Sequence, residues 1–215
     1  MKVSILVSEI NHPVLPYIRR WASEVTEHQV EVVHAKMELS GGELLFLVSC
    51  HELIGPKTRK KYQHTLVLHA SELPQGRGWS PLVWQILEGR REIVCTLLEA
   101  AEPVDSGDIW AQLPIQFEGH ELFDEINDKL FRVELDLIRF AIENFGRIVP
   151  RPQAARPASY YARRMPSDSA LDPNRSLAEQ FDLLRIADPD RYPAYFDLHG
   201  QRYSLRIGKI KQEKA

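Results

Sequence analysis

Apolar residues follow two different spacings along the first 150 residues of the chain. Short apolar or alternating runs predict strands, and apolar residues recurring every three or four positions predict amphipathic helices. The predicted strands cover residues 2–7, 30–34, 44–48, 66–68, 93–98 and 109–115. The predicted helices are the segment opened by Pro13 and Pro16, a basic connector before residue 66, residues 80–87 and residues 121–145.

The order of these elements predicts the fold class. Strands that alternate with helices favour a parallel sheet with helices on its faces. We therefore expect an α/β fold with a Rossmann-like, mostly parallel sheet flanked by helices. Ser80 is expected to cap the helix over 80–87, with Pro81 in its first turn and Gly89 beyond its end.

The composition changes after Pro150, where the stretch RPQAARPASYYARRMP is rich in proline and arginine. Such a stretch is typical of a connector rather than a core, so we divide the chain into residues 1–150 and 151–215. In the second part, Ser176 and Glu179 form a capping-box pattern that predicts a short helix. Residues 194–198 and 202–207 predict a β-hairpin joined at His199 and Gly200.

The charge pattern excludes several classes of partner. The formal net charge is -3 and charges of both signs are interspersed, which argues against binding a nucleic-acid backbone.

The N-terminus lacks a signal-peptide pattern and no apolar run reaches the ~20 residues of a membrane span, so we expect a cytoplasmic protein. Cys50 and Cys95 lie in apolar runs, which predicts buried free thiols in a reducing compartment.

Two polar residues at predicted strand ends carry the candidate chemistry. His69 ends the strand over 66–68, at the edge where open α/β sheets bind ligands, and Asp105 lies in the turn Val-Asp-Ser-Gly. Alone, the histidine could simply bond a loop and the aspartate could simply cap its turn. Together, a carboxylate beside an imidazole can orient it and relay the proton of an attacking amine. No histidine or acidic residue shows metal-ligand spacing, so no metal is predicted.

The surrounding motif strengthens this interpretation. The pattern H-x-S-x-L-P-x-x-R-G begins at His69 and the segment V-D-S-G contains Asp105, 36 positions later (105 minus 69). This combination resembles the folate-dependent formyltransferase family over roughly the first 145 residues. Within that family the chain looks most like the short nucleotide-sugar N-formyltransferases of the pseudaminic and nonulosonic acid type.

The resemblance implies that the chain transfers the formyl group of 10-formyltetrahydrofolate to an amine, with His69 and Asp105 as catalytic residues. The family usually has an asparagine two residues before the histidine, which donates a hydrogen bond to the oxyanion; here that position is Val67. Substitute donors are protonated His69, Ser49 and Asn11, in falling order. A formyltetrahydrofolate hydrolase and a non-catalytic folate- or nucleotide-binding protein remain alternatives.

The resemblance also implies where the folate binds. Its pterin would lie against the segment after the strand over 44–48, with the loop after the strand over 93–98 closing above it. The expected cofactor-binding residues are Ser49, Cys50, His51, Glu52, Leu53, Ile54, Leu98, Glu99 and Ala100. The alternative is that residues 49–54 form a strand-to-helix turn with no ligand.

Two further segments indicate the acceptor. A flexible turn with a guanidinium and an indole before a helix start favours an anion such as a diphosphate, and a tyrosine- and arginine-rich tail could clamp a nucleotide. The expected substrate-binding residues are Asn11, Arg77, Gly78, Trp79, Ser80, Tyr160, Arg163 and Arg164. Trp79 and Trp84 could instead be core aromatics, and the tail could be a solvated linker.

By resemblance, the acceptor is a UDP- or dTDP-linked amino sugar, with a UDP-linked 4-amino-4,6-dideoxy sugar favoured. The aromatic segment over 192–196 would suit a homodimer, or it packs on its own sheet.

Overall fold

The computed structural model describes residues 1–210 and is built around ten strands. In chain order the strands are β1 (Lys2–Leu6), β2 (Gln29–Val33), β3 (Gly42–Leu47), β4 (Tyr62–His69), β5 (Arg77–Gly78), β6 (Glu92–Glu99), β7 (Ile109–Gln116), β8 (Tyr160–Tyr161), β9 (Ala194–Leu198) and β10 (Gln201–Leu205). The α-helices are α1 (Leu15–Glu24), α2 (Pro56–Arg59), α3 (Pro81–Leu87), α4 (Phe123–Glu143) and α5 (Phe181–Ile186).

The central sheet has six strands in the order β2-β1-β3-β4-β6-β7. The first four are parallel, whereas β6 runs antiparallel to β4 and β7 runs antiparallel to β6. The β6–β7 connection contains no helix, and only an antiparallel pair can be joined without a crossover. The predicted mostly parallel α/β fold is confirmed, with an antiparallel edge that the alternation rule did not predict.

The two faces of the sheet are covered unequally. On one face, α1, α3 and α4 bury a large apolar core that includes Phe46, Leu66 and Phe131. On the other face lies a smaller cluster around Leu45, Leu47 and Ile54, and its members within residues 1–210 come from strands and loops. Because residues alternate along a strand, every second residue of β3 and β4 faces this thinly covered side.

Three local predictions need correction. The predicted strand over 66–68 is the end of the longer β4, which begins at Tyr62. Ser80 precedes α3 as predicted, but its φ of 47° is left-handed and its side chain makes no cap bond. The Ser176–Glu179 capping hydrogen bonds form, yet α5 begins only at Phe181. The reason lies in Gln180, whose side-chain amide bonds the backbone of Asp172 and holds the intervening residues in turns.

The residues after Pro150 run along the first part of the chain before forming the predicted helix and hairpin. Arg151 pairs with Ile109, and β8 pairs in parallel with β5. The β9–β10 hairpin turns at His199 and Gly200, whose φ angles of 51° and 75° suit a tight hairpin turn. We call residues 151–161 the strap, because they lie across the loop that follows His69.

Both cysteines are free thiols, as predicted. Cys95 is fully buried in the core, whereas Cys50 is only half-buried because it lies at a strand end beside the thinly covered face. Burial raises the pKa of both thiols. No helix within residues 1–210 combines the length and apolar character that crossing a bilayer requires.

One ionisable group is buried in the core without a partner. Glu134 of α4 is 6% exposed, and its Oε2 has no hydrogen-bond partner among residues 1–210. Burial raises the pKa of this carboxyl from 4.5 to about 8, because the charged form is poorly solvated there. Between pH 4.5 and about 8, Glu134 keeps its proton in the folded chain but has lost it in the unfolded chain. The free energy of unfolding therefore falls as the pH rises through this range.

We expect Glu134→Gln to remove this pH dependence. Between pH 5 and 8 the unfolding free energy of the wild type should fall by roughly 3–5 kcal/mol relative to the variant. Urea unfolding at several pH values measures the difference. Glu143→Gln, at an exposed position of the same helix, is the control and should track the wild type. Parallel curves for the Glu134→Gln variant and the wild type would contradict this assignment.

Candidate functional site

The structure brings His69 and Asp105 together at one edge of the sheet. His69 is the last residue of β4, and Asp105 lies in the loop between β6 and β7. Their side chains are 7% and 6% exposed, and His69 Nδ1 lies 3.8 Å from Asp105 Oδ1. Two buried groups of this kind at a strand end are suited to proton transfer with a bound ligand.

The imidazole of His69 is held in one orientation. Its Nε2 lies 2.8 Å from the carbonyl oxygen of Gly76, which can only accept a hydrogen bond. Nε2 must therefore carry the hydrogen, and in the neutral ring Nδ1 has the free lone pair. Nδ1 is thus the nitrogen able to gain a proton, and it faces Asp105.

Asp105 joins the two halves of the motif. Its Oδ2 accepts a hydrogen bond of 2.9 Å from the backbone N–H of Gly78. Its own backbone is left-handed, with a φ of 58°, which aspartate tolerates better than most residues. The carboxylate therefore has one oxygen fixed by the loop after β4 and the other oxygen turned to His69.

Glycine is required at two positions around this pair. Gly78 has a φ of 96°, and a Cβ there would lie 2.4 Å from the carbonyl oxygen of Tyr161 in the strap. A Cβ at Gly107 would lie 1.9 Å from the carbonyl oxygen of Glu99. The final glycines of R-G and V-D-S-G thus permit close backbone contacts on either side of Asp105.

Three half-buried apolar side chains, Val67, Cys50 and Ala100, lie on the thinly covered face to which His69 also belongs, and we call them the apolar recess. Val67 lies two residues before His69 on the same face of β4. Val67, Cys50 and Ala100 are each only partly buried and pack on the same apolar cluster. Three half-covered apolar side chains on the face that carries His69 offer a surface that a flat, mostly apolar ring could cover.

The residues after β3 point in different directions. His51 lies with Nδ1 3.7 Å from Glu9 Oε1 and its ring 5.6 Å from the ring of Trp79. Glu52 turns away and accepts a hydrogen bond from the backbone N–H of Lys36. Leu53 is exposed.

Two others lie at the ends of this segment. Ile54 is buried in the small cluster. Ser49 has a left-handed φ of 47° and makes no side-chain hydrogen bond within the described part of the chain.

The end of β6 contributes to the site face only in part. Leu98 is opposite Val67 and shares its face, but is fully buried. Glu99 faces the other side of the sheet, where its Oε1 lies 2.7 Å from His64 Nδ1 and accepts from the indole of Trp110. The backbone of Ala100 is occupied by Thr65 and Arg59, so only its side chain reaches the recess.

Among the residues predicted to bind the acceptor, Trp79 and Arg163 lie together. The Arg163 guanidinium stacks over the Trp79 ring at 4.9 Å, and His51 approaches the same ring. Trp79 is 38% exposed, so it is not a core aromatic. Trp84 is half-buried and donates its indole N–H to the carbonyl of Ala162.

The other predicted acceptor residues are less available. Arg164 bonds the backbone of Asp168, and burial lowers its pKa. Arg77 Nη2 bonds Gln153 at 2.6 Å and its Nη1 lies 3.4 Å from the hydroxyl of Tyr160, which is largely exposed. Ser80 and Asn11 are exposed, and within residues 1–210 Asn11 makes no side-chain hydrogen bond.

Sequence reasoning missed the strap residues that hold the loop after His69. Ser159 accepts a hydrogen bond from the N–H of Gly76 through its hydroxyl and from the N–H of Arg77 through its carbonyl. Tyr161 accepts from the N–H of Trp79. Gln153 bonds the turn that carries Asp105. The only feature in the sequence that marks this stretch is its change in composition.

Comparison with known proteins places these residues in a wider context. The profile of the family described as formyl transferase matches residues 4–142. The methionyl-tRNA formyltransferase of Protochlamydia amoebophila is 28% identical over 149 residues, which are 67% of this chain and 46% of that protein. The chain thus spans about half the length of the curated relatives that it matches.

Solved structures share the fold at low identity. A methionyl-tRNA formyltransferase from Clostridium thermocellum has a TM-score of 0.84 and 21% identity, covering 100% of this chain and 95% of that one. HypX from Aquifex aeolicus in complex with tetrahydrofolic acid has a TM-score of 0.78 and 24% identity, covering 96% of this chain and 37% of that one. A sugar N-formyltransferase from a Shewanella species has a TM-score of 0.73 and 17% identity, covering 99% of each chain.

We expect Gly107→Ala to destabilise the loop that carries Asp105. The new methyl group cannot fit against the Glu99 carbonyl without moving backbone, so the unfolding free energy should fall by roughly 1–3 kcal/mol. Gly208→Ala, where a Cβ meets nothing within 4 Å, is the matched control and should change it by less than ~0.5 kcal/mol. Equal stability of the two variants in urea unfolding would contradict this explanation of the V-D-S-G glycine.

Proposed function

This chain belongs to the formyl transferase family, and from that premise we propose that it transfers the formyl group of 10-formyltetrahydrofolate to the amino group of a nucleotide-linked sugar. The observation that carries the proposal is the buried His69–Asp105 pair. Nδ1 of His69 faces the carboxylate across 3.8 Å, at the sheet edge beside the apolar recess.

The proposed mechanism gives the two groups different roles: Asp105 transfers the proton, and His69 stabilises the negative charge that forms on the formyl oxygen. The uncharged sugar amine forms a bond to the formyl carbon, and the carbon–nitrogen bond to the folate then breaks. Asp105 assists removal of the amine proton and its delivery to the departing folate nitrogen, and protonated His69 stabilises negative charge on the formyl oxygen through Nδ1–H. Positioning the two reactants at one edge supplies much of the rate enhancement.

The recess beside His69 supports the folate half of this proposal. A pterin is flat and has a broad apolar face, and Val67, Cys50 and Ala100 present an apolar surface of matching character. Backbone groups of the segments after β3 and β6 would bond its polar edge. HypX from Aquifex aeolicus, which shares the fold, is described in complex with tetrahydrofolic acid. Among residues 1–210 no cluster of three potential metal ligands occurs.

The mechanism needs a hydrogen-bond donor to the oxyanion in place of the asparagine that the family usually has at the position of Val67. Val67 cannot donate a hydrogen bond, and loss of one such donor typically costs ~10²–10³ in rate. Protonated His69 is our first candidate because its Nδ1, unlike its Nε2, is not bound to backbone and lies on the side of Asp105. Ser49 and Asn11 follow, since neither hydroxyl nor amide is engaged elsewhere within the described residues.

The acceptor is proposed to be a nucleotide-linked amino sugar, with a UDP-linked 4-amino-4,6-dideoxy sugar favoured. Trp79 and Arg163 form an exposed aromatic and cationic surface near the pair, which suits a nucleotide base or diphosphate. The net charge of -3 is unfavourable for a tRNA. The Shewanella structure, a sugar N-formyltransferase, aligns along the full length of both chains. A homodimer through the aromatic segment over 192–196 is also proposed.

The decisive assay combines the purified protein with 10-formyltetrahydrofolate and a UDP-linked 4-amino-4,6-dideoxy sugar. We expect an N-formylated nucleotide sugar by mass spectrometry, with folate turnover that depends on the sugar. Folate consumption without the sugar would identify a hydrolase instead. A shift in melting temperature with ligand but no product would identify a non-catalytic binding protein, a reading that Val67 motivates.

His69→Ala should lower the transfer rate by ~10²–10³-fold, because it removes the Nδ1–H group proposed to stabilise negative charge on the formyl oxygen. Its melting temperature should stay close to that of the wild type. His120→Ala, at an exposed histidine away from the pair, is the control and should retain full activity. Near-normal turnover by the His69→Ala variant would show that the chemistry lies elsewhere.

A further inference from the structure

Gln153 of the strap contacts the turn that carries Asp105. Its Nε2 donates hydrogen bonds to the backbone carbonyls of Asp105, at 2.8 Å, and Gly107, at 3.0 Å. Its Oε1 accepts a hydrogen bond of 2.6 Å from Arg77 Nη2. One half-buried side chain therefore connects the Asp105 turn to the loop that follows His69.

The orientation of this amide is determined by its partners. Two carbonyl oxygens can only accept, so the side facing them must be the NH₂ group. The guanidinium of Arg77 can only donate, so the side facing it must be the oxygen. A flipped amide would place oxygen against two carbonyls and NH₂ against a cation. All three contacts agree on a single arrangement.

Gln153 adds to two other contacts of the Asp105 turn, the hydrogen bond from the Gly78 N–H to Asp105 Oδ2 and the one from the Ser106 hydroxyl to the Pro103 carbonyl. Glu102, Pro103 and Val104 before it are exposed, and Asp105 itself has a left-handed backbone. A residue other than glycine keeps a left-handed backbone only where the surrounding structure holds it there. Gln153 donates hydrogen bonds to the carbonyls of Asp105 and Gly107, on the two sides of Ser106. These bonds hold the backbone from which the Asp105 side chain extends.

The other end of Gln153 acts on the histidine side of the pair. Arg77 lies between Gly76, whose carbonyl fixes His69 Nε2, and Gly78, whose N–H fixes Asp105 Oδ2. We propose that Gln153 is a positioning residue that sets the separation of His69 and Asp105 from outside the region matched by the family profile. This inference rests on the proposed function only in treating that pair as catalytic.

Two variants test the proposal. Gln153→Ala removes all three contacts, and Gln153→Glu keeps the acceptor for Arg77 while turning a second oxygen toward the two carbonyls. Both should lower kcat for formyl transfer by on the order of 10- to 100-fold, because a small displacement of a reacting group has effects of this size. KM for 10-formyltetrahydrofolate should change by less than about threefold, since Gln153 does not contact the proposed folate recess.

Gln75→Ala is the matched control. Gln75 also joins the strap to the loop after His69, through a 2.5 Å hydrogen bond to the carbonyl of Pro157, but it does not contact the Asp105 turn. The kcat of the Gln75→Ala variant should equal that of the wild type. A kcat for both Gln153 variants within twofold of the Gln75→Ala value would overturn the proposal. So would a loss of activity that matches a loss of folded protein.

Crystal structures of the variants separate this inference from the proposed function. In Gln153→Ala the carboxylate of Asp105 should move from its 3.8 Å distance to His69 Nδ1, whereas in Gln75→Ala it should not. If the wild type transfers no formyl group, the proposed function fails, and the crystal structures still decide the role of Gln153. An unchanged His69–Asp105 distance in Gln153→Ala would refute the positioning role in either case.

Discussion

The hydrogen bond from the N–H of Gly78 to Asp105 Oδ2 is the interaction on which the site depends. It joins the loop after β4 to the loop after β6 across 27 positions in sequence. A buried carboxylate is unfavourable unless it is paired or hydrogen-bonded. Gly78 satisfies one oxygen, and the second oxygen is left to face His69 at 3.8 Å. The site is thus a carboxylate with half of its hydrogen-bonding capacity fixed and half available.

The unequal covering of the sheet explains why a ligand could reach this pair. Helices α1, α3 and α4 bury one face in a large core, so side chains there are committed to packing. The smaller cluster on the opposite face takes its members from strands and loops, and Val67, Cys50 and Ala100 beside it are only partly buried. His69 faces this open side because it lies two residues beyond Val67 on β4. A covering helix at the same place would close the recess and isolate the pair from any substrate.

The residues after Pro150 pack on the part of the chain that carries His69 and Asp105. The strap fixes the loop after His69 through Ser159 and Tyr161. Farther along, Arg185 of α5 is fully buried, with its Nε 2.5 Å from Asp182 and its Nη1 3.9 Å from Glu121. A buried guanidinium must keep such partners, so α5 is bound to the start of α4. The family profile ends at residue 142, yet several groups that hold the proposed catalytic pair lie beyond it.

Local patterns in the sequence determined the strands, the long helix, the hairpin and the mostly parallel sheet, because periodic burial and turn chemistry act over a few neighbouring residues. The motif around His69 and Asp105 also identified the family. Tertiary structure alone decided that β6 runs antiparallel to β4, that Glu99 faces away from the site and that α5 starts late. It also placed Gln153 on the Asp105 turn, 48 positions away in sequence. No sequence pattern could predict that contact, because it joins one side chain to backbone carbonyls, and every residue type offers the same carbonyl.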